Sequence, residues 1–269
     1  ATETAVPANR HSQKDVTEAA AHWASESETL DPRLVERVFG RAGVEWRSSL
    51  QPLGEVFEDA PFADRNRTYR EAIIEACVEV TQRLVATSRI QQPDFLVSSS
   101  CTGLMIPAVD AYVANRLALG PRLARLPITE AGCAGGAVAL ARACDYLLAH
   151  PDRTAFVLAS EFSSLTFQAR DFGPTNVVAT ALFADGTAGM VLAGDAHPSA
   201  RLNSDPPACR LLRTHSHFVP DTLGAMGYDV ASTGLRLILD RRLPEFLQGR
   251  LRAVAADFSA VASMRETSR

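Results

Sequence analysis

Three observations predict a layered α/β fold. From Pro93 onward, short apolar runs of strand length alternate with longer stretches whose apolar residues recur at helical spacing, the pattern of parallel strands joined by helices. The chain has 269 residues, enough to bury a large core. Its composition, 46% apolar and 22% charged, is that of an ordinary globular protein, without repeats or low-complexity tracts.

Taken in order, Ser12 to Val44 reads as helical, polar and alanine-rich, with apolar Leu34, Val35 and Val38, closed by Gly40 and Gly43. The stretch from Trp46 to Tyr69 is rich in Pro, Asp and Arg and reads as irregular. Tyr69 to Thr87 carries Ile73, Ile74, Cys77, Val80 and Leu84 at helical spacing, an amphipathic helix with one buried face. Then follow a strand in DFLVSSS, a helix in PAVDAYVANRLAL with Pro107 at its start, and a strand in ARLPITEA. A helix in GGAVALARACDYLLAH and strands in TAFVLASE and TAGMVLAGD complete the series, with parallel pairing expected.

Bulk properties narrow the function. A net charge of −4 offers no basic field, so nucleic acid is a poor partner. Apolar runs such as VVATALFA from Val177 fall far short of the roughly 20 residues that span a bilayer. The five cysteines, Cys77, Cys101, Cys133, Cys144 and Cys209, are odd in number and without a CxxC pair, which points to reduced thiols and a cytoplasmic protein. The first residues lack a basic region followed by an apolar one, so no signal peptide is expected; residues are expected to precede Ala1, which is not an initiator methionine.

Chemistry concentrates at Cys133. Ala137, Leu140, Ala141, Cys144 and Leu148 read as one apolar stripe, which puts Cys133 just before or in the first turn of that helix. There unpaired N–H groups and the helix dipole favour an anion, so the thiolate becomes available. Gly132, Ala134, Gly135 and Gly136 leave room for a carbonyl substrate, and backbone N–H groups can hold an oxyanion. That suits acyl transfer through a thioester. The alternative makes Cys133 a small buried hydrophobe whose glycines only permit close packing. A dinucleotide fingerprint fits poorly, because Ala134 and Ala137 stand where glycines are wanted. Ala131-Gly132-Cys133-Ala134-Gly135 narrowly misses a GxCxG elbow, which keeps a cysteine hydrolase open. Cys77 and Cys144 read as core.

Five blocks in order, SSSCTGLMIP (Ser98 to Pro107), GCAGG (around Cys133), LASEFSSLTF (Leu158 to Phe167), ALFADGTAGMVLAGD (Ala181 to Asp195) and VPDTLGAMGYDV (Val219 to Val230), make the chain resemble the bacterial type III polyketide synthases, the chalcone synthase-like family. The resemblance runs from TAVPAN to about Phe258. It implies a thiolase-like layered α/β/α fold, a homodimer, and a polyketide-synthesising acyltransferase. Such an enzyme loads an acyl group from acyl-CoA onto cysteine and extends it by decarboxylative condensation with malonyl-CoA. Coenzyme A thioesters are then substrates, and no cofactor or metal is called for. Cys133 matches the acyl-bearing nucleophile and Phe183 the aromatic gatekeeper that orients malonyl-CoA. Ser163, Thr166 and Leu237 match cavity-shaping positions, Cys101 a pocket-lining position, and Ile106 the residue that reaches into the partner's pocket. Arg33, Arg37, Arg41 and Arg47 are candidates for the coenzyme A phosphates by position alone, against the ordinary reading of solvated arginines.

The resemblance also implies a histidine in an HPGG-like segment and an asparagine in a GN-containing segment; neither segment occurs in these 269 residues. The two histidines of THSHF alternate as on one strand face, and His11, His22, His150 and His197 offer no convincing base. The sequence therefore reads as residues 1–200, an N-terminal thiolase-like domain carrying the cysteine, and residues 201–269, an incomplete C-terminal one. Reduced or lost turnover follows, with a non-catalytic thiolase-fold binding partner as the alternative outside catalysis.

Overall fold

The computed structural model describes residues 1–201 and 209–266. Strand β1 (Thr2–Ala5) is followed by β2 (Asn9–Ser12), α1 (Gln13–Ala24) and α2 (Pro32–Arg41). The expected helical region is thus two helices with a break between them. Ser12 caps α1 through a reciprocal pair with Asp15, and Asp31 caps α2 ahead of Pro32, so each helix carries its own start signal. The stretch read as irregular holds β3 (Trp46–Ser49), a short helix α3 (Leu53–Val56) and the first turns of α4 (Phe62–Ser88). β3 is only four residues long and gains its backbone partners from β2, antiparallel, which no local pattern announces.

The alternating segment follows expectation: β4 (Phe95–Ser99), α5 (Val109–Arg116), β5 (Ala124–Ile128), α6 (Gly135–Ala149), β6 (Thr154–Phe162), α7 (Pro174–Leu182) and β7 (Asp185–Ala193). The sheet order is β1-β7-β6-β4-β5. Along β4 and β6 the side chains alternate between two cores. Leu96, Phe156 and Leu158 pack with Ile73, Cys77, Val80 and Leu84 of α4 and Val109 and Val113 of α5. Phe95, Val97, Ala155 and Val157 pack with Ala139, Ala143 and Leu147 of α6. A strand buried on both faces between two helical layers gives an α/β/α sandwich.

Two expectations are corrected. β5, β4 and β6 are parallel, but β7 runs antiparallel to β6 and β1 antiparallel to β7. Parallel return requires a helix that crosses the sheet; α7 instead buries Val177 and Ala181 in a separate core with Val35 and Phe39 of α2 and Trp23 of α1, so the chain re-enters beside β6 in the opposite sense. The buried face of α6 is only in part the expected stripe: Cys144 is buried and Leu140 packs against the core, but Ala139, Ala143 and Leu147 meet the sheet, whereas Ala137 is exposed and Leu148 is 74% exposed. The helix is apolar on more than one side, and the sheet takes the side whose alanines allow the closest approach.

Beyond these, β8 (Met226–Ala231) and β9 (Gly234–Leu239) form an antiparallel hairpin, and α8 (Leu243–Glu266) follows. The hairpin is tied to the rest through buried Leu235, whose carbonyl accepts from Gln168 Nε2 at 3.3 Å, and through Arg65, which donates to the carbonyls of Thr233, Leu165 and Phe167. No helix among the described residues is long and apolar enough to cross a membrane.

Candidate active site

Parallel strands that end in register bring the loops after them together, and such carboxyl ends are where open α/β sheets place their chemistry. Here Ser99 of β4 lies opposite Ile128 of β5 on one side and Ala159 of β6 on the other. The chain beyond β4 carries Cys101, that beyond β5 carries Cys133, and the end of β6 carries Glu161 and leads into a 3-10 turn at Ser163–Thr166.

Cys133 sits exposed in a 3-10 turn, Gly132–Ala134, that runs directly into α6. Two glycines make this turn possible. Gly132 has φ 55°, a left-handed conformation that L side chains rarely adopt. A Cβ on Gly135 would stand 2.0 Å from Ser99 Oγ, so the first turn of α6 rests against the end of β4 only because that side chain is missing. The thiol thus stands beside the unpaired N–H groups of a helix start.

Glu161 organises the neighbouring loop. Its carboxylate accepts from the Cys101 backbone N–H at 3.1 and 3.2 Å and from Thr102 Oγ1 at 2.8 Å, and Tyr69 OH donates to Ser100 Oγ at 2.8 Å beside it. Burial raises the Glu161 pKa, against the pull of these donors. Burial first, and then Glu161, push the Cys101 thiol up to about 12. At neutral pH Cys101 therefore keeps its proton rather than offering a second nucleophile.

Ser163, Thr166, Phe183 and Leu237 line one cavity, together with His11, Arg47 and Ser49. Phe183 caps α7 and is half-buried. Leu237 on β9 pairs across the hairpin with Tyr228 on β8. Tyr228 is hydrogen-bonded to Thr166; burial pushes its phenol up to about 12, and Cys101, Cys133 and Glu161 add to the effect, which places it over the same strand ends. Thr166 is therefore the link between the cavity and the two-cysteine group. Ile106 stays apart from that cavity, 96% exposed in a loop with a cis Ile106–Pro107 bond.

Sequence reasoning missed Glu161, Tyr228 and His11. His11 was placed in polar surroundings, yet its Nε2 lies 3.0 Å from Ser49 Oγ and it lines the cavity. Glu161 and Tyr228 lie within the LASEFSSLTF and VPDTLGAMGYDV blocks, and a lone carboxylate ending an apolar strand is the available signal. Of the arginines, Arg33, Arg37 and Arg41 are exposed at four-residue intervals along one face of α2. Arg47 is buried, 8% exposed, and is removed from the candidates for coenzyme A phosphates. His215 and His217 are exposed but lie in irregular chain, not on a strand. His150 caps the far end of α6, roughly 22 Å along the helix from its start.

Comparison with known proteins identifies this arrangement. The N-terminal domain of chalcone and stilbene synthases matches residues 67–196. The 1,3,6,8-tetrahydroxynaphthalene synthase of Streptomyces griseus is 33% identical over 213 residues, 78% of this chain and 55% of that protein. The enzyme of the same name from Streptomyces peucetius subsp. caesius is 32% identical over 262 residues, 97% of this chain and 68% of that protein. The crystal structure of the tetrahydroxynaphthalene synthase of Streptomyces coelicolor A3(2), a bacterial type III polyketide synthase, superposes with a TM-score of 0.85 at 29% identity, over 94% of this chain and 70% of that one. The chain spans a little over half the length of some of these relatives, 55% and 56% for the two Streptomyces proteins from griseus and coelicolor. Matched by that domain over residues 67–196 and 32% identical over 97% of its length to a relative of which it covers 68%, the chain belongs to the chalcone synthase-like type III polyketide synthases of the thiolase superfamily.

Proposed function

We propose that this chain carries the acyl-transfer half of a polyketide-forming condensation. Cys133, as thiolate, attacks the carbonyl of an acyl-CoA; the C–S bond to coenzyme A breaks, the thiol leaves with a proton, and a thioester remains on Cys133. Malonyl-CoA then loses CO₂, and its α-carbon attacks that thioester, releasing the Cys133 thiolate and a chain two carbons longer, still on coenzyme A. The observation that carries the reading is Cys133 exposed on a helix-start turn at converging parallel strand ends, linked through Thr166 to the cavity that holds Phe183. Phe183 offers an apolar ring against which a malonyl carboxylate is kept from water, which favours loss of CO₂. Arg33, Arg37 and Arg41 present the one exposed arginine row on α2 suited to coenzyme A phosphates.

The sequence reading of the two regions carries over: residues 1–200 as the cysteine-bearing thiolase-like domain and 201–269 as part of the second. The separate hairpin sheet supports that division. Ile106, almost wholly exposed, supports homodimerisation. A cytoplasmic location fits free cysteines without disulfide partners among the described residues. A hydrolase elbow would strain the nucleophile itself, whereas here the positive φ falls on Gly132 and not on Cys133.

The test is intact-mass spectrometry after incubation with an acyl-CoA, beside a Cys133→Ala control, followed by radiolabelled malonyl-CoA. An acyl adduct that maps to Cys133 and vanishes in the control supports the proposal. Acylation that persists in the control, or no adduct with any acyl-CoA, overturns it. Robust pyrone or resorcinol formation would overturn the sequence-based expectation of reduced turnover.

A further inference from the structure

Among the buried charged groups, Arg47 stands out for what it holds. It projects from β3, is 8% exposed, and meets no carboxylate among the described residues. Its guanidinium donates to the carbonyls of Thr180 and Ala181 and, at 3.0 Å, to that of Phe183; it also donates to Gln13 Oε1. Thr180 and Ala181 belong to the last turn of α7. A helix end leaves its final carbonyls without intrahelical partners, and its dipole favours a cation there. Arg47 therefore acts as a side-chain cap for α7 from another element, and the residue just past the cap is Phe183.

The far side of Phe183 is fixed by the opposite chemistry. Asp185 is buried, and its carboxylate accepts from the Leu50 N–H at 2.7 Å, the Ser164 N–H at 2.8 Å and the Ser164 hydroxyl at 2.5 Å. Leu50 directly follows β3, so one short strand grips the Phe183 segment from both sides, Arg47 before it and the Leu50 amide after it. The fork of a guanidinium reaches several carbonyls in different directions at once; a lysine ammonium, a point charge on a flexible stem, does not. Gln13 completes the grip, its Nε2 donating to Ala181 O at 3.3 Å.

We infer that Arg47 is the positioning residue for Phe183, and that its multidirectional hydrogen bonds, rather than its charge alone, set the ring's place in the cavity. The inference rests on the proposed malonyl-CoA chemistry for its consequence but not for its geometry. Misplacing a group at a reacting centre by about an ångström costs on the order of 10²-fold. Loading of Cys133, which does not use Phe183, should be spared.

The experiment uses the full chain with 4-fluorophenylalanine incorporated at position 183, as wild type and as Arg47→Lys. Three quantities are read: the ¹⁹F resonance, the rate of Cys133 acylation, and CO₂ release from carboxyl-labelled malonyl-CoA. The expected result is a shifted or broadened ¹⁹F signal in Arg47→Lys, with acylation within about twofold of wild type and CO₂ release down about 10- to 100-fold. An unchanged ¹⁹F signal overturns the inference whatever the activity does, and an altered signal with undiminished CO₂ release overturns it as well. If the unsubstituted chain releases no CO₂ at all, the proposed function fails in that step and the ¹⁹F signal alone decides the role of Arg47. If Arg47→Lys does not fold, Gln13→Met, which removes one acceptor of the guanidinium together with the Nε2 bonds to Phe39 and Ala181 and leaves the guanidinium in place, is judged by the same criteria with a smaller expected effect.

Discussion

Replacing Gly135 with alanine is expected to destabilise the chain through one atom, Ser99 Oγ, and through little else. The new Cβ would lie 2.0 Å from that oxygen but 3.3 Å from Ser99 Cβ, close to ordinary contact. Overpacking a filled site costs about 1–3 kcal/mol. Against that, alanine is up to about 1 kcal/mol better than glycine inside a helix. The single variant should therefore lose up to about 2 kcal/mol net, the difference of those two terms. In a Ser99→Ala background the 2.0 Å clash is gone and only the tight 3.3 Å approach to the Cβ remains, so the same substitution becomes neutral or stabilising once that neighbour gives by a few tenths of an ångström. The sign reverses, giving a coupling of about 1–3 kcal/mol in a double-mutant cycle. Urea unfolding of the four proteins measures it, and melting temperatures should follow at about 2–4 °C per kcal/mol for a chain of this size. The single variant should also slow acylation of Cys133, because the turn that carries it must lift from β4. Additivity within about 0.5 kcal/mol would refute the argument that Gly135 exists for this approach.

Cys133 should react with iodoacetamide ahead of the other four thiols at neutral pH: Cys77 and Cys144 are buried, and Cys101 is held near 12. Peptide mapping that finds Cys101 or the exposed Cys209 labelled first would contradict this. Burial raises the Glu161 pKa above its unfolded value, so the fold favours the protonated acid; the stability this contributes is full below the ordinary glutamate value of about 4.3 and is lost as pH rises through the folded value. Relative to Glu161→Gln, the wild type should therefore lose unfolding free energy as pH rises above about 4.3, and parallel pH profiles would count against it. Light scattering after size exclusion should show association that Ile106→Glu weakens, since Ile106 is 96% exposed; a monodisperse monomer would remove this expectation.

Much of this protein was legible in its amino-acid order because the signals are local. The short apolar runs of β4, β5 and β6 and the helical stripe of α4 each describe their own few residues, and each took the predicted form. The family resemblance likewise named Phe183, Ser163, Thr166 and Leu237, which share one cavity.

What only the tertiary structure decided concerns partners far apart in the chain and choices between equal local patterns. Arg47 reads as one more surface arginine until α7, more than 130 positions later, lays its last carbonyls across it. Glu161 and Tyr228 acquire meaning only when the ends of β4 and β6 and the β8–β9 hairpin converge on Cys101 and Cys133. For α6, spacing alone allowed two apolar faces, and the need for close packing against a sheet selected the one with Ala139 and Ala143. β1 and β3, four residues each, have no stripe of their own; they are strands because β7 and β2 supply the hydrogen bonds their backbones require. Local order is set by neighbours in sequence, whereas a site, a buried charge or an edge strand is set by whatever the fold brings against it.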